Sequence, residues 1–192
     1  MLIGLLIFAA IGLITPGPNN VLLLNSGLKF GYRKSVFHIL GIGFGLFSLF
    51  LTVGNGVSKF FSQYPFIESI LQILCSLYLV YLSYKIINTS TDLSDESNDT
   101  EPMSFLNAFL FQWMNPKAWT LALTVISIYN GIQFENPIFI ISVCFLVVSL
   151  ITSSLWVVFG LQIKKILKNA KQERILNIFM GCSLLSTLFI MF

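Results

Sequence analysis

Six apolar stretches separated by short polar or charged segments make up most of the chain. The first runs from Met1 to Leu28 without a formal charge, and the second lies between Lys34 and Lys59. The third runs from about Ile67 to Ile87, the fourth from Phe105 to Ile128, the fifth from Pro137 to Ile163 and the sixth from Ile175 to Phe192. Each is close to the ~20 residues that cross ~30 Å of hydrocarbon at 1.5 Å per residue. The stretches are continuous rather than alternating, which favours helices over an outer-membrane barrel. Backbone inside hydrocarbon must satisfy its own hydrogen bonds, which again selects helices. The pattern therefore predicts an all-α integral membrane protein with six transmembrane helices. The first stretch has no positive leader and continues past any small-residue cleavage site, so it reads as a retained span.

Composition agrees. Of 192 residues, 56% are hydrophobic and 10% charged, with a mean hydropathy of +0.85. A soluble domain carries about 25% charged residues. A water-soluble globule and a disordered chain are both excluded. The net charge of +3 gives no support for a nucleic-acid partner. Cys75, Cys144 and Cys182 each sit in an apolar run with no CxxC, so they read as small packing residues. No metal site and no cofactor are expected.

Charge also predicts orientation. Nine of the eleven Lys and Arg residues fall in the first, third and fifth loops, including Lys29, Arg33, Lys34 and the run from Lys164 to Arg174. The second loop holds only Lys59. This asymmetry places those three loops in the cytoplasm and both termini outside. The third loop is acidic, with Asp92, Asp95, Glu96, Asp99 and Glu101 among Ser, Thr and Asn. It reads as a solvated linker over 88–104, dividing a single transmembrane domain, 1–192, into three-span halves, 1–87 and 105–192. Three is odd, so the halves enter the membrane in opposite orientations, a 3+3 inverted repeat common among secondary transporters.

The first and fourth spans are broken at matching places. The first contains Thr15-Pro16-Gly17-Pro18-Asn19-Asn20 and the fourth Asn115-Pro116-Lys117. Proline removes a backbone donor and clashes with the preceding turn, so two prolines around a glycine should open a helix rather than bend it. Thr and Asn are good N-caps, and proline suits the first helical position. Thr15-Pro16 and Asn115-Pro116 thus both read as starts of half-helices. Pro16 lies roughly 22 Å along its span and Lys117 roughly 18 Å along its own. In an inverted pair two such N-termini converge near mid-membrane. Each offers free N–H groups and roughly half a positive charge, so the pair is expected to bind an anion.

Lys117 is the one formal charge deep in any span. A centred lysine costs about 2.5–3.5 kcal/mol or more on insertion scales, and no Asp or Glu lies deep enough to pair with it. The missing anion is then the cargo itself, or burial leaves the amine partly neutral. Asn19, Asn20, Gln112 and Asn115 are expected either to contact a polar cargo or to satisfy backbone groups freed by the breaks. Gly41, Gly43 and Gly45 read as close helix packing. His38 reads as a packing or headgroup-level residue with a proton relay as the rarer use. Trp113 and Trp119 flank the fourth-span break and are candidates for a cavity wall.

These residues resemble a known family. Thr15 to Asn20, followed by Gly31 and the second-span glycines, look like the opening of the LysE/RhtB amino-acid exporter family. Asn115-Pro116-Lys117-Ala118 is similar to that family's second-half motif. The third-span Leu77-Tyr78-Leu79-Val80-Tyr81-Leu82, the polar linker and the basic loop before the last span follow in the same order. The resemblance implies a bacterial inner-membrane exporter of amino acids, often a homo-oligomer and driven by protons. The family often has Asp after PGP, where this chain has Asn19, and PGPNN resembles the branch that exports neutral amino acids such as cysteine and O-acetylserine. The expectation is export of a small, neutral amino acid or derivative, with no enzymatic activity. The cargo carboxylate would sit between the two half-helix N-termini and Lys117, its ammonium against freed carbonyls and Asn19, Asn20 or Asn115. The alternatives are an ion or metal exporter, disfavoured by the absence of carboxylate and thiol ligands in the spans, and a non-transporting membrane scaffold.

Overall fold

The computed structural model describes residues 2–57, 63, 65–88, 101–129, 136–167 and 169–186. The described residues form helices α1 (Leu2–Ile14), α2 (Pro18–Thr52), α3 (Pro65–Ile87), α4 (Phe105–Trp113), α5 (Pro116–Tyr129), α6 (Pro137–Ile166) and α7 (Ala170–Ser186), with a π-turn at Val53–Val57 closing α2. The acidic positions 92, 95, 96 and 99 of the linker, with Lys59 and Lys168, lie outside the described residues.

The chain is all-α and its surface is apolar. On α1, Ile3, Ile7, Ile11 and Ile14 are exposed while Leu5 and Ala9 are buried. On α6, Val147, Ile151, Leu155 and Phe159 form a similar exposed stripe. A soluble monomer rarely leaves contiguous apolar patches of this kind facing water. Among the described residues, two helical segments, Pro18–Gly56 and Pro137–Ile166, are long and apolar enough to cross a bilayer, and Leu2–Ile14 and Ser76–Ile87 are shorter apolar helices.

The first of those long segments is not straight. Gly31 holds φ +81°, a left-handed conformation that glycine adopts at little cost. The hydroxyls of Ser26 and Ser35 come within 2.9 Å of each other. Nine residues of straight helix would separate them by about 13 Å along the axis. The chain therefore reverses at Gly31, and the expected first loop, around Lys29, Arg33 and Lys34, contracts to this single hinge.

Two apolar clusters hold the helices together. In the larger, Leu23, Ile42, Leu46, Phe50, Ala122, Val125 and Phe145 join α2, α5 and α6, with the Phe50 and Phe145 rings 4.2 Å apart. In the smaller, Leu79, Leu82 and Ile86 of α3 meet Met180 and Leu184 of α7. Small residues allow the tightest crossings. A Cβ on Gly27 would lie 2.1 Å from the Val157 carbonyl, and one on Gly160 2.1 Å from that of Leu24. Gly41 and Gly45 press on α4 at Phe105 and Phe109, and Gly43 on Leu146 and Leu150 of α6, as the packing reading expects.

Candidate functional site

Each helix break follows from its local chemistry. Thr15 precedes Pro16 and Gly17 precedes Pro18, and a residue before proline is pushed out of the α region. Gly17 is accordingly fully extended, at φ −175° and ψ −179°, and α2 starts at Pro18. Proline suits that first position because its missing N–H would have no intrahelical partner anyway. The expected start at Thr15-Pro16 is therefore corrected by two residues. Thr15 instead finishes α1, its N–H and its hydroxyl both donating to the Ile11 carbonyl. The position equivalent to Pro116 is Pro18, not Pro16. With one proline, the second break is tighter. Met114 and Asn115 donate back to Phe111 and Gln112 at 3.1 and 3.2 Å, and α5 starts at Pro116 as expected.

The two breaks meet. The Lys117 ammonium donates to the Thr15 carbonyl at 2.5 Å. A Cβ on Gly17 would lie 3.1 Å from Lys117 Cδ and 3.3 Å from Nζ, so this glycine leaves space for the lysine chain. Asn19 Nδ2 donates to Gln112 Oε1 at 2.7 Å, and Gln112 Nε2 returns a bond to Asn19 Oδ1 at 3.1 Å. Gln112 is fully buried, and its Nε2 also donates to the Ala108 carbonyl. This reciprocal amide pair ties the halves together across 93 positions of sequence.

Freed backbone groups claim much of the remaining polar capacity. Asn20, 6% exposed, donates from Nδ2 to the carbonyls of Leu13 and Thr15 at 2.9 and 2.8 Å, with Ile14 at 3.4 Å. It closes the C-terminus of α1. Asn115 closes the N-terminus of α5, its Oδ1 accepting from the Lys117 N–H at 3.1 Å and its carbonyl from Ala118 N–H at 2.9 Å. Trp113 and Trp119 brace this break edge to face at 6.0 Å, with Trp119 Nε1 donating to the Trp113 carbonyl and Trp113 Nε1 to Ser48.

One N-terminus is left open. No side chain caps α2, and its first intrahelical bond is Val21 N–H to Gly17 O. The N–H groups of Asn19 and Asn20 precede that bond and have no helical partner. The expected pair of equivalent N-termini is thus unequal, with α5 self-capped and α2 open beside Lys117. Lys117 also has a protein partner that the sequence did not reveal. That partner is a neutral carbonyl at the negative end of α1, which suits a cation but leaves its charge uncompensated.

A narrow, half-open cleft with about 20 Å³ of enclosed space lies at this junction. Its walls include Gly17, Pro18, Asn19, Asn20, Asn115 and Lys117, with Ile42 and Leu46 of α2 and Leu121 of α5. Across from the breaks stand Ser149, Thr152 and Ser153 of α6, all buried. These hydroxyls were missed in the sequence, where the only available signal was a cluster of small polar residues inside an apolar span. Gln112 and the two tryptophans flank the break without lining the cleft, and Pro16 and Thr15 stay exposed beside it. His38 is 2% exposed with neither ring nitrogen hydrogen-bonded, which makes it a packing residue rather than one at headgroup level. No group of three or more His, Cys, Asp or Glu side chains among the described residues could hold a metal ion.

A helical chain with an apolar surface and a polar cleft at two broken helices has the features of a membrane protein. Residues 10–189 match the model of the LysE type translocator family, and the chain belongs to that family. A cysteine/O-acetylserine efflux protein of Escherichia coli O6:K15:H31 (strain 536 / UPEC) is 29% identical over 123 residues, which cover 64% of this chain and 62% of the relative. The proteins of the same description from Escherichia coli (strain K12) and Shigella flexneri serotype 5b (strain 8401) are 28% identical over the same shares. The chain thus spans about 62% of the length of the curated relatives it matches. No solved structure matches.

Proposed function

We propose that the protein exports a small, neutral amino acid or amino-acid derivative from the cytoplasm across the bacterial inner membrane by alternating access. The cargo carboxylate binds at the open N-terminus of α2, facing the Lys117 ammonium. The observation that carries this reading is the meeting of an uncapped helix N-terminus and an uncompensated lysine at one cleft. Both favour an anion, and in a low-dielectric site a charged hydrogen bond contributes about 1.5–3 kcal/mol. Asn19 and Gln112 act as a latch between the halves, and Asn20, Asn115 and Pro116 with the Thr15–Pro18 turn hold the breaks open.

The reading takes the chain as six spans in two inverted halves, 1–87 and 105–192, with 88–104 cytoplasmic and both termini outside. The reversal at Gly31 supports dividing α2 between the first and second spans. The packing pattern supports the inversion. Helix α1 packs on α6 as α4 packs on α2, the long α2 and α6 pack on each other, and so do α3 and α7. Inverted repeats, broken helices and a site at their junction are the arrangement of alternating-access carriers. The similarity to cysteine/O-acetylserine efflux proteins supports the cargo class, protons are the coupling ion of this reading, and a homo-oligomer is its assembly.

The test is a thermal-shift screen of the purified protein against amino acids and their O-acetylated or hydroxylated relatives. Stabilisation follows RT ln(1 + [L]/Kd), so a ligand at 100 times its Kd contributes about 2.7 kcal/mol. A neutral amino acid should raise the melting temperature of the wild type and not that of Lys117→Ala. Equal shifts in both would remove the carboxylate site from this cleft.

A further inference from the structure

The cleft has a second side, and the chemistry of that side narrows the cargo. We propose that Ser149, Thr152 and Ser153 form the receptor for the cargo's ammonium, so that the site selects α-amino acid zwitterions over other small carboxylates. This rests on the carboxylate reading above. The Thr15 carbonyl at the end of α1, the nearest acceptor to Lys117, already receives bonds from both Asn20 and Lys117, which fills its two lone pairs. Lys117 also repels a second cation, so the ammonium must turn to another wall.

Helix α6 supplies that wall. Ser149 is 1% exposed, Thr152 6% and Ser153 4%, and all three line the cleft that Lys117 lines. Ser149 donates to the Leu146 carbonyl at 2.9 Å, and Thr152 to those of Val148 and Ser149 at 3.0 and 3.2 Å. Spending the hydroxyl proton on the helix leaves the Ser149 and Thr152 oxygens with acceptor capacity only. The cleft is thereby polarised, with N–H donors and an ammonium at the breaks and hydroxyl acceptors on α6. A zwitterion presents the complementary charges. A hydroxyl wall without a carboxylate also suits one added positive charge rather than two, in keeping with a cargo whose side chain is neutral.

The experiment compares two probes that differ by one group, O-acetyl-L-serine and its deaminated counterpart 3-acetoxypropanoate. Affinities are measured by thermal shift on the full chain in detergent. The wild type should prefer the amino acid by roughly tenfold or more, the scale of a charged hydrogen bond. In the S149A/T152V/S153A variant that preference should collapse to within about twofold, with the affinity for 3-acetoxypropanoate unchanged. Thr152→Ser, which keeps the acceptor, should retain it where Thr152→Val does not. Unchanged affinity for the deaminated probe shows that the variant is folded and the carboxylate side intact. If the triple variant still prefers the amino acid, the hydroxyl wall is not the receptor. If it loses both probes alike, the wall is structural and the inference fails. If the wild type binds neither probe, nor L-cysteine, the carboxylate reading itself fails.

Discussion

Individual residues at the breaks settle charges and orphaned backbone groups that apolar helices leave behind. Asn20 and Asn115 are the plainest cases, each closing one helix end with its own amide. The sequence showed that polar groups would be needed there. It could not show which would serve the backbone, because that depends on the two-residue shift in the start of α2. The depth of Lys117 was legible in the sequence, while its bond to Thr15, 102 positions away, was not. At the basic loop, Glu173 is buried at the start of α7 with Oε2 unbonded. Burial raises its carboxyl above the ordinary value of 4.5, opposed by the nearby Lys29 and Lys164. A carboxyl raised in the folded state holds its proton to higher pH than in the unfolded chain. Its favourable contribution is therefore complete below about pH 4.5 and is lost as pH rises through the folded-state value. Glu173→Gln should be more stable than wild type at pH 7, with the difference vanishing near pH 4. Thermal unfolding across that range checks it, and a difference independent of pH would contradict it.

At the scale of elements, the apolar stretches anticipated where helices form, and proline marked where two of them stop. The tight reversal at Gly31 and the division of labour between glycines were not legible, since hydropathy reports neither backbone sign nor helix–helix distance. The crossing of α2 and α6 is the most demanding contact. A methyl group on Gly27 or Gly160 would sit 2.1 Å from a partner carbonyl, and backbone cannot yield as a side chain does. Gly27→Ala and Gly160→Ala should each destabilise by about 1–3 kcal/mol or abolish folding, the cost of forcing extra volume into a packed interface. Gly56→Ala separates space from conformation, because nothing lies within 4 Å of its Cβ position while φ is +116°. It should cost about 1–2 kcal/mol through backbone strain alone. Melting temperatures in detergent give both answers. If Gly27→Ala melts with the wild type, the α2–α6 crossing is looser than described.

For the whole molecule, the arrangement turns a costly feature into a usable one. Two interrupted helices and a lysine would destabilise an isolated span, yet together they cancel much of each other's deficit. Lysine meets the negative end of α1, while the amides of Asn19 and Gln112 satisfy one another. What remains unsatisfied at the two breaks is one helix N-terminus and one positive charge, both facing a cleft with a hydroxyl wall. The meeting of the breaks was legible in the sequence from the matched positions of the two proline motifs. The α6 wall was not, because it arises only once α6 packs across the junction. The most direct measurement is the rate of O-acetyl-L-serine efflux from proteoliposomes carrying the full chain or its Lys117→Ala variant, matched for protein content. A carboxylate contact by Lys117 requires a fall of roughly tenfold or more in the variant, the loss of one charged hydrogen bond. Efflux at the wild-type rate would contradict it.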